Sequence, residues 1–199
     1  METPTSPSRR LVLASTSRYR RELLSRLGLA FDTAAPGTDE TRLPGESPRE
    51  LALRLAAAKA AAVATVRPDA LIIGSDQVAW CDGEFLGKPG THERAVEQLR
   101  RLSGRSAEFL TAVCVLDSAS GRSATELVPC EVRFRTLDAG TIERYLRREQ
   151  PYDCAGSAKS EGLGIVLVEA IRCDDPNALV GLPLIALTSL LAGHGVSII

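Results

Sequence analysis

Short apolar runs alternate with amphipathic stretches along the chain, and the two periods divide it into strands and helices. Leu11-Val12-Leu13-Ala14 reads as a short buried strand, followed by Ser15-Thr16-Ser17 and an amphipathic helix from about Arg18 to Leu27 that Gly28 closes. Ser47-Pro48-Arg49-Glu50 is a capping box with proline at the first helical position; it predicts an alanine-rich helix to about Val66, before Pro68. Leu71-Ile72-Ile73 is a second buried strand leading into Gly74-Ser75-Asp76-Gln77-Val78. Asp82-Gly83 is a turn, and Leu86-Gly87-Lys88-Pro89 a loop. A helix over His92–Leu102 would place Ala95, Val96, Leu99 and Leu102 on one face, with Gly104 beyond its end. Two long strands, about Phe109–Leu116 and Glu126–Phe134, flank the turn-rich stretch 117–121. A helix over Ala139–Arg148, a glycine-rich loop at 153–162, a strand at Ile165–Ile171 and a last helix from Pro183 complete the pattern. The middle strands look hairpin-connected and the others do not, which predicts an α/β fold with a mixed sheet.

Composition narrows the class. The 199 residues suit one domain or two lobes sharing a sheet, and 44% hydrophobic with 25% charged residues is ordinary globular chemistry. Residues 1–8 are rich in Pro, Ser and Thr and are expected to be disordered. No apolar run approaches the roughly 18–20 residues of a membrane span, so a cytoplasmic protein with no membrane partner is expected. A net charge of −1 gives no general attraction to nucleic acid. The five cysteines, Cys81, Cys114, Cys130, Cys154 and Cys173, are odd in number and widely spaced, and are expected to be buried free thiols. Of 24 basic residues only three are lysine, namely Lys59, Lys88 and Lys159. A lysine kept in so arginine-biased a chain either does what arginine's wide planar fork cannot or is there by chance.

Several positions carry candidate chemistry, each with an ordinary alternative. Arg18, Arg20 and Arg21 crowd the first turn of a helix, where acidic residues are normally favoured. With Ser15, Ser17 and free backbone N–H groups they form a phosphate cradle, or else a solvated basic face. Asp76 directly follows an apolar strand, where a carboxylate can hold a divalent metal or take a proton from water, or merely cap a loop. Asp39-Glu40 lies in a Pro/Gly/Thr-rich loop and offers a second carboxylate, or is simply solvated. Lys88 is presented between Gly87 and Pro89, and Lys59 interrupts a small-residue helix face; a snorkelling surface lysine is the alternative for each. The loop at 153–164 offers Ser157, Lys159, Ser160 and Glu161 with glycine freedom around them. With only His92 and His194, a Ser-His-Asp or Cys-His site lacks a placed base, and neither a Walker A sequence nor a dinucleotide fingerprint is present.

These segments, in this order, resemble the Maf family of nucleotide pyrophosphatases. The resemblance rests on Leu13-Ala14-Ser15-Thr16-Ser17 with Arg20 and Glu22-Leu23-Leu24, Asp39-Glu40-Thr41, Arg54-Leu55-Ala56 with Lys59-Ala60, Gly74-Ser75-Asp76-Gln77, Leu86-Gly87-Lys88-Pro89, Leu102-Ser103-Gly104 and Val180-Gly181-Leu182-Pro183. It covers nearly the whole chain, so residues 9–199 are expected to form one Maf-like domain. It implies two lobes around an elongated curved mixed β-sheet flanked by helices, related to inosine triphosphatases, with the site in the central cleft. It further implies hydrolysis of a nucleoside triphosphate to the monophosphate and pyrophosphate with a divalent cation, Mg²⁺ or Mn²⁺, in a house-cleaning role. By position, Asp76 resembles the general base and a metal ligand, with Glu40 assisting the metal, and Ser15, Arg20, Lys59 and Lys88 resemble phosphate contacts.

Within the family, Ser-Thr-Ser-Arg-Tyr-Arg-Arg, Gly-Ser-Asp-Gln and Asp-Cys-Ala-Gly-Ser-Ala-Lys-Ser-Glu-Gly look like the 7-methyl-GTP branch rather than the dTTP/UTP branch. By that resemblance Tyr19, Gln77 and Glu161 set base specificity. Methylated guanine is cationic and electron-poor, which suits stacking on Tyr19, and the Glu161 carboxylate can accept from guanine N1–H and its exocyclic amine. Arg18 departs from the branch, where proline is common. The implied partner is a small-molecule nucleotide, with a homodimer left open. The remaining alternatives are the same chemistry on dTTP and UTP, and a regulatory nucleotide-binding role in septum formation.

Overall fold

The structure, a computed structural model, describes residues 9–199; the tail expected at 1–8 lies outside the described residues. Seven strands form one mixed sheet: β1 (Arg10–Leu13), β2 (Phe31–Thr33), β3 (Ala70–Cys81), β4 (Glu84–Leu86), β5 (Ser106–Asp117), β6 (Ser123–Phe134) and β7 (Val168–Cys173). Their order is β2-β1-β3-β5-β6-β7, with β4 attached to β3. Five helices flank it: α1 (Arg18–Ser25), α2 (Pro48–Ala64), α3 (His92–Leu102), α4 (Ala139–Glu149) and α5 (Leu184–Gly193). Among the described residues no helix is long and apolar enough to cross a membrane.

The mixed sheet follows from the connections. β1 and β2 run parallel through α1, and β1 and β3 run parallel through α2, whereas β3, β5, β6 and β7 are successively antiparallel. The Ser47 capping box forms as expected, with the Ser47 hydroxyl accepting from Glu50 N–H and the Glu50 carboxylate accepting from Ser47 N–H. Asp82 and Gly83 both take positive φ in the two-residue turn between β3 and β4, the backbone such hairpins demand.

Four expectations are corrected. β3 does not stop at Ile73: it runs to Cys81, because β5 partners it from Leu71↔Asp117 to Trp80↔Glu108. Asp76 therefore sits inside a strand rather than at its end. The strand expected at Ile165–Ile171 begins only at Val168, since Gly162 and Gly164 both donate their N–H to the Lys159 carbonyl and curl 163–167 into a 3-10 turn that leaves Ile165 and Val166 exposed. α1 ends at Ser25, two residues early, and a turn at Gly28, with φ of 67°, reverses the chain. Cys130 and Cys173, expected as free thiols, are bonded to each other, because β6 and β7 place them directly opposite with Cα atoms 4.4 Å apart; Cys81, Cys114 and Cys154 are free.

The sheet divides the core by side-chain parity, since successive strand residues point to opposite faces. Ile72 and Val78 of β3 pack with the buried face of α2, whereas Leu71 and Ile73 pack with α1 and α5. Farther along that second face Ala79 and Cys81 join α3 and α4. Two helix groups thus stand at either end of one face, which is the two-lobed arrangement expected. β1 ends opposite Ile73, and β4 ends with Leu86 opposite Ala79, so among the described residues β3 has no strand beside it on that edge from Gly74 to Val78.

Candidate active site

The bare edge of β3 opens into a cavity of about 910 Å³. Ser15, Tyr19, Arg20, Glu40, Lys59, Asp76, Gln77, Lys88 and Glu161 all line it. Nine residues spread over most of the sequence are thus gathered in one space of the size that holds a small ligand.

Asp76 and Lys59 form its buried centre. Gly74 makes their meeting possible: a Cβ there would lie 2.2 Å from the Ala56 carbonyl oxygen and 2.7 Å from Ala60 N, so only glycine lets α2 lie this close to β3. The small face of α2 brings Lys59 down with it, 5% exposed rather than snorkelling. Lys59 Nζ stands 2.6 Å from Asp76 Oδ1 and 2.6 Å from Glu40 Oε1. Burial raises the Asp76 carboxyl above its ordinary range, opposed by Lys59 and Arg20 and assisted by the Glu40 charge. Glu40 is lowered, chiefly by its hydrogen bond from Lys59. Burial thus favours the proton on the deeper carboxylate, and the Lys59 hydrogen bond disfavours it on the outer one.

Glu40 is held by its loop. Asp39, its neighbour, turns away to accept from Thr41 N–H, so it caps the loop and does not enter the site. Arg54 of α2 grips Glu46 through two hydrogen bonds of 2.5 and 2.8 Å and donates to the Thr41 carbonyl, and the Arg42 guanidinium lies 4.4 Å over the Phe85 ring.

The three arginines of α1 separate. Arg20 turns inward and donates from Nε to the Gly181 carbonyl at 2.8 Å; desolvation lowers its pKa while Asp76 and Glu40 oppose that fall. Arg21 stays exposed, and Arg18 folds over Tyr19. Ser17 caps the helix, and the buried Ser15 hydroxyl accepts from Ser17 N–H at 3.1 Å. Lys88 is exposed on the loop after β4, close enough to help lower Glu40. Ser15, Arg20, Lys59 and Lys88 thus surround one part of the cavity with donors and positive charge.

Gln77 faces the opposite side of the sheet from Asp76. Its Nε2 donates to Thr111 Oγ1, the Ala178 carbonyl and the Leu179 carbonyl, each at 3.0 Å. Tyr19 donates its hydroxyl to Asp153 Oδ2 at 3.3 Å and accepts from Arg18 at 2.7 Å; burial is the main cause that pushes its pKa up to about 12. The Arg18 guanidinium carbon stands 4.7 Å, and Lys159 Nζ 5.8 Å, from the Tyr19 ring centre, so the ring already attracts cations. Glu161 is exposed on the cavity rim.

Sequence reasoning missed the supports. Glu149 at the end of α4 accepts from Leu163 N–H at 2.7 Å and lies 3.2 Å from Lys159 Nζ, which clamps the loop that carries Glu161. The Gly181 carbonyl receives both Arg20 and the Ser75 hydroxyl. Thr111 was visible as a lone hydroxyl inside the apolar run 109–113, a pattern that marks a buried polar group needing partners.

The family profile described as Maf-like protein matches residues 10–194. The chain belongs to the Maf family. Among Maf relatives, the 7-methyl-GTP pyrophosphatase of Polaromonas sp. (strain JS666) is 61% identical over 196 residues, 98% of this chain and 89% of that one. The 7-methyl-GTP pyrophosphatase of Bordetella pertussis (strain Tohama I) is 59% identical, covering 94% of this chain and 92% of that one, and that of Thiobacillus denitrificans is 56% identical, covering 99% and 97%. A solved structure, the Ham1 protein of Staphylococcus aureus, has a TM-score of 0.46 and 16% identity over 64% of this chain and 72% of that one, a distant likeness. Of the segments on which the resemblance to Maf rests, those that carry Ser15, Arg20, Glu40, Lys59, Asp76, Gln77, Lys88 and Gly181 line the cavity, whereas Leu102-Ser103-Gly104 closes α3 away from it.

Proposed function

We propose that this Maf protein hydrolyses 7-methyl-GTP to 7-methyl-GMP and pyrophosphate, with Asp76 as the general base. The observation that carries the chemistry is the buried Asp76, raised by burial yet paired with Lys59, at the centre of a cavity rimmed by Arg20 and Lys88. The substrate is supported by the relatives named as 7-methyl-GTP pyrophosphatases at 56–61% identity over nearly the whole chain.

In this reading the water oxygen bonds to the α-phosphorus while Asp76 takes its proton, and the α–β bridging bond breaks with its electron pair leaving on pyrophosphate. Lys59, Arg20 and Lys88 offset the charge that gathers on the departing phosphates, and Ser15 donates to a phosphate oxygen. The donor set fits a divalent cation, Mg²⁺ or Mn²⁺: Glu40 and Asp76 are hard oxygen donors brought together at one ammonium. Among the described residues no larger group of His, Cys, Asp and Glu stands ready as a metal cage. Two carboxylates completed by substrate phosphates is how Mg²⁺ is commonly held. When bound, the cation would withdraw charge from the phosphate oxygens.

Asp76→Asn keeps the shape and removes the base. Pyrophosphate release from 7-methyl-GTP is expected to fall by at least about a hundredfold, the low end for a positioned general base, in a variant whose melting curve shows it folded at the assay temperature. An undiminished rate overturns the assignment. The same assay across 7-methyl-GTP, GTP, dTTP and UTP tests the base: 7-methyl-GTP is expected to be among the best, and preference for dTTP or UTP overturns that part alone.

A further inference from the structure

The Gln77 amide has one nitrogen end and one oxygen end, and its surroundings choose between them. Directly across β5, Thr111 is fully buried, and its hydroxyl donates to the Ala178 carbonyl at 2.9 Å. Its single hydrogen is spent there, so toward Gln77 the hydroxyl can only accept. The Ala178 and Leu179 carbonyls can also only accept, and all three oxygens lie 3.0 Å from Gln77 Nε2. Turning the amide over would set Oε1 against two carbonyl oxygens and leave the nitrogen without these partners.

We propose that Thr111, with the 178–180 turn it anchors, locks the polarity of the Gln77 amide, so that the base site offers oxygen acceptors and selects a nucleobase edge with two adjacent donors. The proposal rests on the reading of the site as a nucleotide pyrophosphatase and names which base edge it takes. With its nitrogen engaged, Gln77 has Oε1 left for a ligand in the cavity it lines, and Glu161 on the rim is a second acceptor. Guanine presents N1–H beside an exocyclic amine. Uracil and thymine present one N–H between two carbonyls, and two of those three groups meet acceptors with acceptors. A site built to receive hydrogen bonds rejects a base that cannot give them. Thr111 is a positioning residue here, acting through Gln77 and the turn; it lies on the face of β3 opposite Asp76 and does not touch the reacting phosphorus.

The test is the ratio of kcat/KM for 7-methyl-GTP to that for UTP in Thr111→Val, Thr111→Ala and Thr111→Ser, each checked by its melting curve. Valine keeps the shape and loses the hydroxyl. The ratio is expected to fall about tenfold, the factor that one buried hydrogen bond carries, through a higher KM for 7-methyl-GTP with little change for UTP. Serine keeps the hydroxyl and is expected to restore the ratio. Should valine fail to fold, alanine removes the same hydroxyl without adding a methyl group to the turn. GTP against ITP supplies the second arm, since ITP lacks only the exocyclic amine; the wild type is expected to prefer GTP, and the valine variant to prefer it less. A folded valine or alanine variant with the wild-type ratios overturns the polarity lock while leaving the pyrophosphatase reading intact. A wild type that prefers UTP overturns the base reading and the lock together, and a wild type that hydrolyses none of these overturns the reading on which both rest.

Discussion

Glu46 and Arg54 hold the loop of Glu40 by charge, and that hold depends on acid. The hydrogen bond from Arg54 lowers the Glu46 carboxyl from its ordinary 4.5 to about 2. A group whose folded-state pKa is lowered stabilises the fold fully above its unfolded value and loses that contribution as pH falls toward its folded value. Glu46→Gln is therefore expected to lower the urea midpoint at about pH 7, with the gap to the wild type closing between about pH 4.5 and about pH 2. A gap that stays constant across that range removes the carboxylate from the account. Single residues were also where the sequence spoke most clearly. Lys59, Asp76 and Glu40 each carry an ordinary alternative in snorkelling, loop capping or solvation when read alone, and the structure brings both carboxylates to the Lys59 ammonium. What stayed hidden were the partners of Thr111 and Glu149, since Gln77 and the 159–163 loop become their neighbours only after folding.

At the level of elements, α2 and β3 show which patterns are legible. The Ser47 capping box, Pro48 and the alanine-rich run announce α2 because each acts within a few residues of itself. β3 was read at less than half its length because Gly74, Ser75, Asp76 and Gln77 break the apolar run that marks a strand. Those four residues are polar or small for the sake of the cavity and the α2 contact, while β5 supplies the pairing that keeps them extended. The Cys130–Cys173 bond was illegible for the same reason, since its 43-residue separation becomes adjacency only through the β6–β7 register. Gly74→Ala tests the close crossing. Its added methyl collides with the α2 backbone rather than with a yielding side chain, so a loss of about 1–3 kcal/mol or more in unfolding free energy is expected, by denaturant titration. Lys59 rides on the same helix, so activity should fall in the folded fraction as well. A variant as stable and as active as the wild type would show that α2 can slide without consequence.

Across the whole molecule, the cavity wraps around one unpartnered length of sheet edge. Asp76 and Lys59 lie on the α2 side of β3, whereas Gln77, Thr111 and the 178–180 turn lie on the other. Lys59→Gln is expected to lower kcat/KM for 7-methyl-GTP, GTP and UTP by a common factor of at least about tenfold, the loss typical of removing one preorganised charge from a phosphate clamp. Unequal losses across the three would show that the two sides are not independent. The α/β class, the mixed sheet and the helix order could all be read from periodicity, but the bare edge could not, because it depends on where β1 and β4 stop against β3. In the proposed reading, five residues with one bare edge set the general base and the base-selecting amide one residue apart along the backbone and back to back across the sheet. A lineage with this arrangement can exchange its substrate by rewriting the Gln77 face and leave the Asp76–Lys59 pair on the other untouched.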